Sequence, residues 1–435
     1  YNGSGNTDRR FIVEIEPRLF RGPAFGKVTG TATSSDEWPT YRYSNQRSGV
    51  TSGRTAEDLA TKWNVDVGSH PTAPIVVGQS VYVADRDAYT LFSLNRESGE
   101  TRWSFVADGR IDSPPTYYNG MLLVGSRGGS VYCLRASDGQ LAWKFNGMPQ
   151  RRLICDTGRL ESAWPVHGSV MVFDDTAYFA AGRSTFLDGG IALFGLDPIT
   201  GAMKHSKVMQ GPYQDETRSF PVQAKGQFQL EGCKADILSC SGNQLFMRNQ
   251  PFTPDFTPIV PERLKTVHLL ASPGFLNESP QHRTYWTVDR DLRYGGATGK
   301  FSSGPAGDTI AFDGKLFYEI RGYAPGRNLP GRGRDLSPLD LYSVYSGSYA
   351  GMGEKESKSA IPAIGTWEKR WQTPTPFAGH AIAASENTVM AAGVPMLRGF
   401  SVEDTNASYA GEKGGIALLL DADDGHQLQE LRFDA

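Results

Sequence analysis

Three tryptophans, Trp63, Trp103 and Trp143, stand forty residues apart, and the stretches between them share one pattern. From Pro74 to Trp103 the chain reads PIVVGQSVYVADRDAYTLFSLNRESGETRW, and from Pro115 to Trp143 it reads PTYYNGMLLVGSRGGSVYCLRASDGQLAW. Each stretch holds a short apolar run, a Gly-containing turn, a second apolar run, a polar turn and a third run. An acidic turn ending in Gly99 or Gly139 then leads into the segment that carries Trp. Alternation such as Val81-Tyr82-Val83 and the wealth of β-branched and aromatic residues specify strands rather than helix. Asp138-Gly139 is a tight-turn signal, since glycine takes positive φ without steric cost.

Four short antiparallel strands recurring every ~40–45 residues spell a β-propeller blade. Further copies follow at Val170–Lys204, from Ile237 (ILSCSGNQLFMRN), at His268–Val288, from Thr309 (TIAFDGKLFYEIRG) and from Ala381, which gives seven visible copies. The expected fold is therefore all-β: a propeller of four-stranded antiparallel blades. The Trp63 segment reads as an outer strand without its first three, so an eight-blade ring with an incomplete last blade is the alternative to seven. Residues 1–55 read as an N-terminal arm outside the repeats, with Phe11–Glu16 a candidate strand. Residues 56–435 read as one propeller with long loop insertions at Met148–Leu160, Met209–Leu230, Pro251–Leu264, Pro325–Pro338 and Gly347–Thr366.

The 18 Tyr, 22 Phe and 8 Trp supply core material that a disordered chain lacks. A net charge of -3 argues against a general nucleic-acid or anionic-membrane binder. No apolar run approaches the ~18 residues of a membrane helix, so no membrane span is expected. The chain opens on Tyr-Asn-Gly-Ser, which suggests removal of a targeting segment or a fragment. Of the four cysteines, Cys133, Cys155, Cys233 and Cys240, none forms a CxxC pair, although Cys233 and Cys240 are close enough to bridge.

The turn pattern in SLNRESGETRW, CLRASDGQLAW, GLDPITGAMKH and LLDADDGHQLQEL resembles the PQQ-like, or quinoprotein-like, β-propeller repeat family. So does the opening Glu37-Trp38-Pro39-Thr40-Tyr41-Arg42 with Arg47-Ser48-Gly49. Stretches such as IDSPPTYYNG, ESAWPVHGSV and HRTYW resemble large exported bacterial propeller proteins of unassigned role. The resemblance implies an extracytoplasmic setting: periplasmic, secreted or at the cell surface. It also frames the alternatives, namely quinone-dependent alcohol dehydrogenases with quinone and calcium on the propeller axis, and a propeller lipoprotein of outer-membrane protein assembly that binds partners. The adjacent Cys-Cys pair of those dehydrogenases has no counterpart here, and no Glu/Asn/Asp set matches their calcium motifs. No cofactor is expected as the leading reading, with PQQ and calcium as the enzyme alternative, and no metal is expected.

In a propeller, the loop entering each innermost strand and the loop after the second strand share one face. Entry positions align as Thr72, Asp112 with Ser113, His167, Asp236, Asp308 and His380. Positions after the second strand align as Arg86, Arg127, Arg183, Arg248 and Arg321. An arginine-rimmed axial pocket would suit an anionic small molecule or glycan, because guanidinium binds carboxylate, sulfate or phosphate bidentately. The same pattern equally allows each arginine to pair with a neighbouring aspartate and stitch the blades together. His167, or His282 beside Tyr285, would be the base of an acid/base enzyme acting on anionic polysaccharide. The leading expectation is an exported, non-catalytic ligand- or partner-binding propeller; the alternatives are such an enzyme, a quinone-dependent oxidoreductase, and a structural envelope or filament component.

Overall fold

The tryptophan period is a docking rule. Trp103 donates its indole N–H to the carbonyl of Ala136 at 3.1 Å, Trp143 to Pro198 at 3.1 Å, and Trp371 to Ala422 at 3.0 Å. Each outer-strand tryptophan thus satisfies its one donor on the acidic turn of the following sheet. The ring lies over the turn glycine: a Cβ on Gly139 would strike Trp103, and one on Gly201 would strike Trp143. Both glycines have positive φ, at 72° and 69°, so glycine is required twice over. The turn is closed by its first polar residue, as Asn95 accepts from Glu97 N–H at 2.8 Å and Asp197 from Ile199 N–H at 3.0 Å.

The computed structural model describes residues 17–30, 32–156, 158–210, 234–248, 250–259, 267–271, 274–276, 286–288, 305–321, 342–349, 367–396 and 400–435. They are all β apart from one short helix, and the fold is of the β-propeller type. The chain divides into two compact units. The first takes the described residues of Tyr1–Thr33, Val65–Glu216 and Leu230–Leu238; the second takes those of Ser34–Asn64, Thr217–Gln229 and Ser239–Ala435.

The first unit carries three antiparallel meanders. They run through Ile75–Val77, Ser80–Asp85, Thr90–Asn95 and Thr101–Val106; Thr116–Tyr118, Met121–Gly125, Ser130–Arg135 and Leu141–Asn146; and Met171–Phe173, Thr176–Ala181, Ile191–Leu196 and Met203–Met209. Leu19–Arg21 adds a fifth strand to the middle sheet, Leu19 opposite Phe145 and Arg21 opposite Trp143. Part of the arm is therefore built into a blade. Leu123, Val131, Trp143, Phe145, Trp164, Phe179 and Phe194 form the core between the second and third sheets. The expected loop Met148–Leu160 is instead largely a β-hairpin, Leu153–Asp156 with Arg159–Ser162. Its charged residues, which read as loop, are consumed by ion pairs described below.

The second unit holds three-stranded sheets at Ser239–Ser241, Gln244–Met247 and Gln250–Phe252, and at Leu269–Ala271, Trp286–Val288 and Ala306–Gly307. Four-stranded sheets follow at Thr309–Phe312, Leu316–Arg321, Ser343–Tyr349 and Trp367–Pro374, and at Phe377–Ala384, Thr388–Pro395, Gly415–Asp421 and Gln427–Phe433. A helix, Val402–Tyr409, capped by Ser401, interrupts the last meander. The segment around Arg42–Thr51 crosses the first strands of these sheets. Cys240 N–H bonds Asn45 O at 2.9 Å, Phe312 N–H bonds Ser48 O at 2.8 Å, and Ala384 N–H bonds Gly49 O at 2.9 Å. Arg47, 0 % exposed, donates to Thr40 Oγ1 at 3.1 Å. Arg42 donates to Arg47 O and Ile310 O and lies 4.5 Å from the Trp286 ring, and burial lowers its pKa to about 10.

Trp63 is corrected: it lies outside any strand, and the first meander begins at Ile75. Its forty-residue spacing extends the period into a segment that forms no strand. Phe11–Glu16 and Cys233 lie outside the described residues. Cys133 and Cys240 are buried free thiols and Cys155 an exposed one; burial raises the Cys240 pKa to about 11.

Candidate functional site

In the first unit two of the predicted rim residues, Asp112 and Arg127, meet in a charged cluster. The turn after Met121–Gly125 places Arg127, and the entry to Thr116–Tyr118 places Asp112. Arg127 Nε donates to Asp112 Oδ2, and its Nη1 donates to Glu161 Oε2 at 2.7 Å and to Asp156 Oδ2 at 3.0 Å. Arg110 completes the cluster, 3.3 Å from Asp112 and 3.5 Å from Glu161. Glu161 and Asp156 both come from the inserted hairpin, whose Ser162 N–H also bonds Arg127 O at 3.0 Å. Burial works against the Arg127 charge, but Asp112 and Glu161 outweigh it and hold its pKa above the ordinary value. The hairpin's Arg159 reaches Asp87 at 3.2 Å, and Asp87 in turn holds His70 Nδ1 at 2.8 Å.

Arg183 meets Asp188 at 2.5 Å, and the same carboxylate takes Arg152 at 2.9 Å. His167 donates from Nε2 to Gly182 O at 2.9 Å. Asp236 is buried and accepts from Ile237 N–H at 2.8 Å. Thr72 Oγ1 accepts from Ala84 N–H at 3.1 Å, and Arg86 N–H bonds His70 O at 3.1 Å. Next to the Arg127 cluster, Asp108 accepts from Ser126 and Ser130 at 2.8 Å each and from Lys144 at 3.0 Å.

Burial opposes the Asp108 charge, yet Lys144 and the two hydroxyls prevail and lower its pKa. A depressed carboxylate contributes stability above its unfolded pKa of ~4 and loses it as pH falls through the folded value. Asp108→Asn should therefore lower the melting temperature at pH 7, and the gap from the parent should close below about pH 4. Thermal melts across pH 2–7 (about five points suffice) read this directly; a gap independent of pH would contradict it.

In the second unit, Arg321 meets Glu319 at 2.5 Å and lies 5.1 Å from the Tyr345 ring. Arg248 follows Gln244–Met247 with a φ of 55°. Asp308 is exposed, its N–H bonded to Ile320 O at 2.7 Å. His380 is exposed at the register shift between Gly379 and Ala381, where the extra residue re-aims a side chain. His282 and Tyr285 lie outside the described residues.

Thus Asp112 and Arg127 meet within one meander, while His167 and Asp236 fall in the first unit and His380 in the second. Sequence reading missed Asp156, Glu161, Asp188 and Glu319, which supply the counter-charges, and Arg110, a second cation of the cluster. Glu319 alternates with Arg321 on one strand and Arg110 stands beside Asp112, signals that were available; Asp156, Glu161 and Asp188 sit in insertions that no repeat alignment reaches. A calcium-held quinone needs several free oxygen ligands. Asp112, Glu161 and Asp188 do not fit that demand, because each is already engaged by two arginines.

Residues 42–242 match a family model described as outer membrane protein assembly factor BamB. No curated protein matches the chain. Among solved structures, quinohemoprotein alcohol dehydrogenase ADHIIG from Pseudomonas putida HK5 is 12% identical with a TM-score of 0.50, covering 92% of this chain and 72% of its own. The quinohemoprotein alcohol dehydrogenase of Comamonas testosteroni is 11% identical with a TM-score of 0.49, covering 92% and 74%. BamB from Moraxella catarrhalis is 9% identical with a TM-score of 0.31, covering 81% and 70%. Likeness at these identities concerns fold. Meander sheets, docking tryptophans and acidic Gly turns define the class, a β-propeller. More particularly, residues 42–242 resemble the PQQ-like repeat type that the matching model represents.

Proposed function

We propose that this chain is a non-catalytic, extracytoplasmic propeller that binds a protein partner, its seven meander sheets acting as blades. One observation carries the reading. The rim arginines Arg127, Arg183 and Arg321, aligned by the repeat for an anionic ligand, are each engaged by a carboxylate of the chain itself. Guanidinium groups so neutralised serve to fasten loops, and a small anion would have to displace buried carboxylates to use them. The description of the matching family model, an outer membrane protein assembly factor, agrees in kind with a binding role and an extracytoplasmic setting. No helix among the described residues is long and apolar enough to cross a membrane.

The test is a paired assay on the purified chain. Incubation with PQQ and calcium should leave alcohols unoxidised in a dye-reduction assay, and incubation with polyuronate should release no ultraviolet-absorbing unsaturated product. Native extract of the source cells should yield a stoichiometric protein complex that survives purification. Turnover in either assay overturns the reading.

A further inference from the structure

The hairpin Leu153–Asp156/Arg159–Ser162 has two unlike faces. The register pairs Ile154 with Glu161 and Asp156 with Arg159 on one face, and Cys155 with Leu160 on the other, where Leu153 also lies. The first face is fastened down: Ile154 packs on the core, while Glu161 and Asp156 hold Arg127. The second faces solvent, with Leu160 70% and Leu153 52% exposed and Cys155 exposed beside them. The Arg152–Asp188 ion pair ties the hairpin's base to the loop Ser184–Gly190, which presents Phe186 and Leu187, 49% and 45% exposed. Two neighbouring insertions on one unit therefore display four large apolar side chains. Clustered exposure of this kind marks an interaction surface, whereas single exposed apolar residues do not.

The charges around it are sorted by depth. Arg151 is exposed and the Arg152 side chain is 55% exposed, whereas the carboxylates beneath, Asp188 and Glu161, are 7% and 4% exposed. Arg159 and Asp87 pair at the surface, on the other face of the hairpin from Leu160, and Asp156 at the hairpin tip, itself partly exposed, is held by Arg127. The patch accordingly offers solvent an apolar centre rimmed by guanidinium donors, the composition of a protein interface core and its rim.

We infer that this patch docks a protein segment whose apolar side chains are flanked by carboxylates. The inference rests on the binding reading above and adds the surface and the chemistry of the partner. The fit is one of complementarity: leucine or phenylalanine side chains cover Leu153, Leu160, Phe186 and Leu187, while aspartate or glutamate accepts from Arg151.

The test uses the full chain and a fluorescent peptide of alternating aspartate, leucine and phenylalanine, its lysine-for-aspartate counterpart, and phosphatidylglycerol vesicles. Anisotropy should show the acidic peptide binding and the lysine peptide failing to bind. The double variant Leu160→Asp/Phe186→Asp should weaken binding by about tenfold or more, and Arg151→Glu should weaken it further as salt is lowered. All three altered positions are exposed, so a far-ultraviolet spectrum and melting temperature like the parent's should accompany the loss. Equal binding of both peptides, binding unchanged in the double variant, or binding to vesicles without peptide binding overturns the inference. The binding reading fails separately, through turnover in the assays of the preceding section.

Discussion

Arg127→Met should lower the unfolding free energy by about 3–5 kcal/mol at neutral pH, the cost of leaving buried carboxylates without their counter-charge. Arg127 alone touches Asp112, Glu161 and Asp156, and Glu161 is almost wholly buried. Arg110 remains, but at 3.3 and 3.5 Å it is the more distant cation and cannot replace three contacts. The deficit should shrink in acid, because protonating Asp112 and Glu161 removes the uncompensated charge. Arg127→Lys separates charge from geometry: it keeps the cation and loses the forked donors, so its deficit should be the smaller. Urea titrations of the three proteins at pH 7 and pH 4 (about ten concentrations each) decide the matter. A loss below about 1 kcal/mol at neutral pH would mean that the cluster does not fasten the hairpin.

Trp143→Ala should cost about 3–5 kcal/mol, among the largest losses any single truncation here can produce. The side chain is fully buried in the core shared by the second and third sheets of the first unit. Its removal opens a cavity and leaves the Pro198 carbonyl without the indole donor. It also strips support from Gly201 and from Leu19, which meet at the same ring. Trp143→Phe should recover much of the packing and none of the hydrogen bond, and so should fall between the two. Calorimetry should show the alanine variant melting several degrees below the phenylalanine variant; coincident melts would deny the docking rule.

The repeat was legible because both halves of that rule are written locally: a tryptophan on one outer strand, and an acidic turn with glycine in the next repeat. Where the tryptophan is replaced, as by His205 in the third sheet, the strands remained legible from their apolar alternation. Trp63 misled for the same reason, since spacing alone extends a period past the strands that give it meaning. The rim was half legible. Arg127, Arg183 and Arg321 follow second strands and so align, whereas Glu161, Asp156 and Asp188 belong to a hairpin and a loop that only three dimensions bring beneath them. Charge counting reads donors without their acceptors whenever the acceptors are supplied by insertions, as Glu161, Asp156 and Asp188 are here.

The crossing segment of the second unit carries a consequence for synthesis. Thr55 bonds Asn387, 332 residues later, and Leu59 bonds Gln429, 370 residues later. These residues are made more than three hundred residues before their hydrogen-bonding partners. Completion of the second unit must therefore wait for its later strands and be slow, as closure over so long a loop demands. Until then a stretch rich in arginine and aromatic residues waits uncovered, a natural client for a holding chaperone.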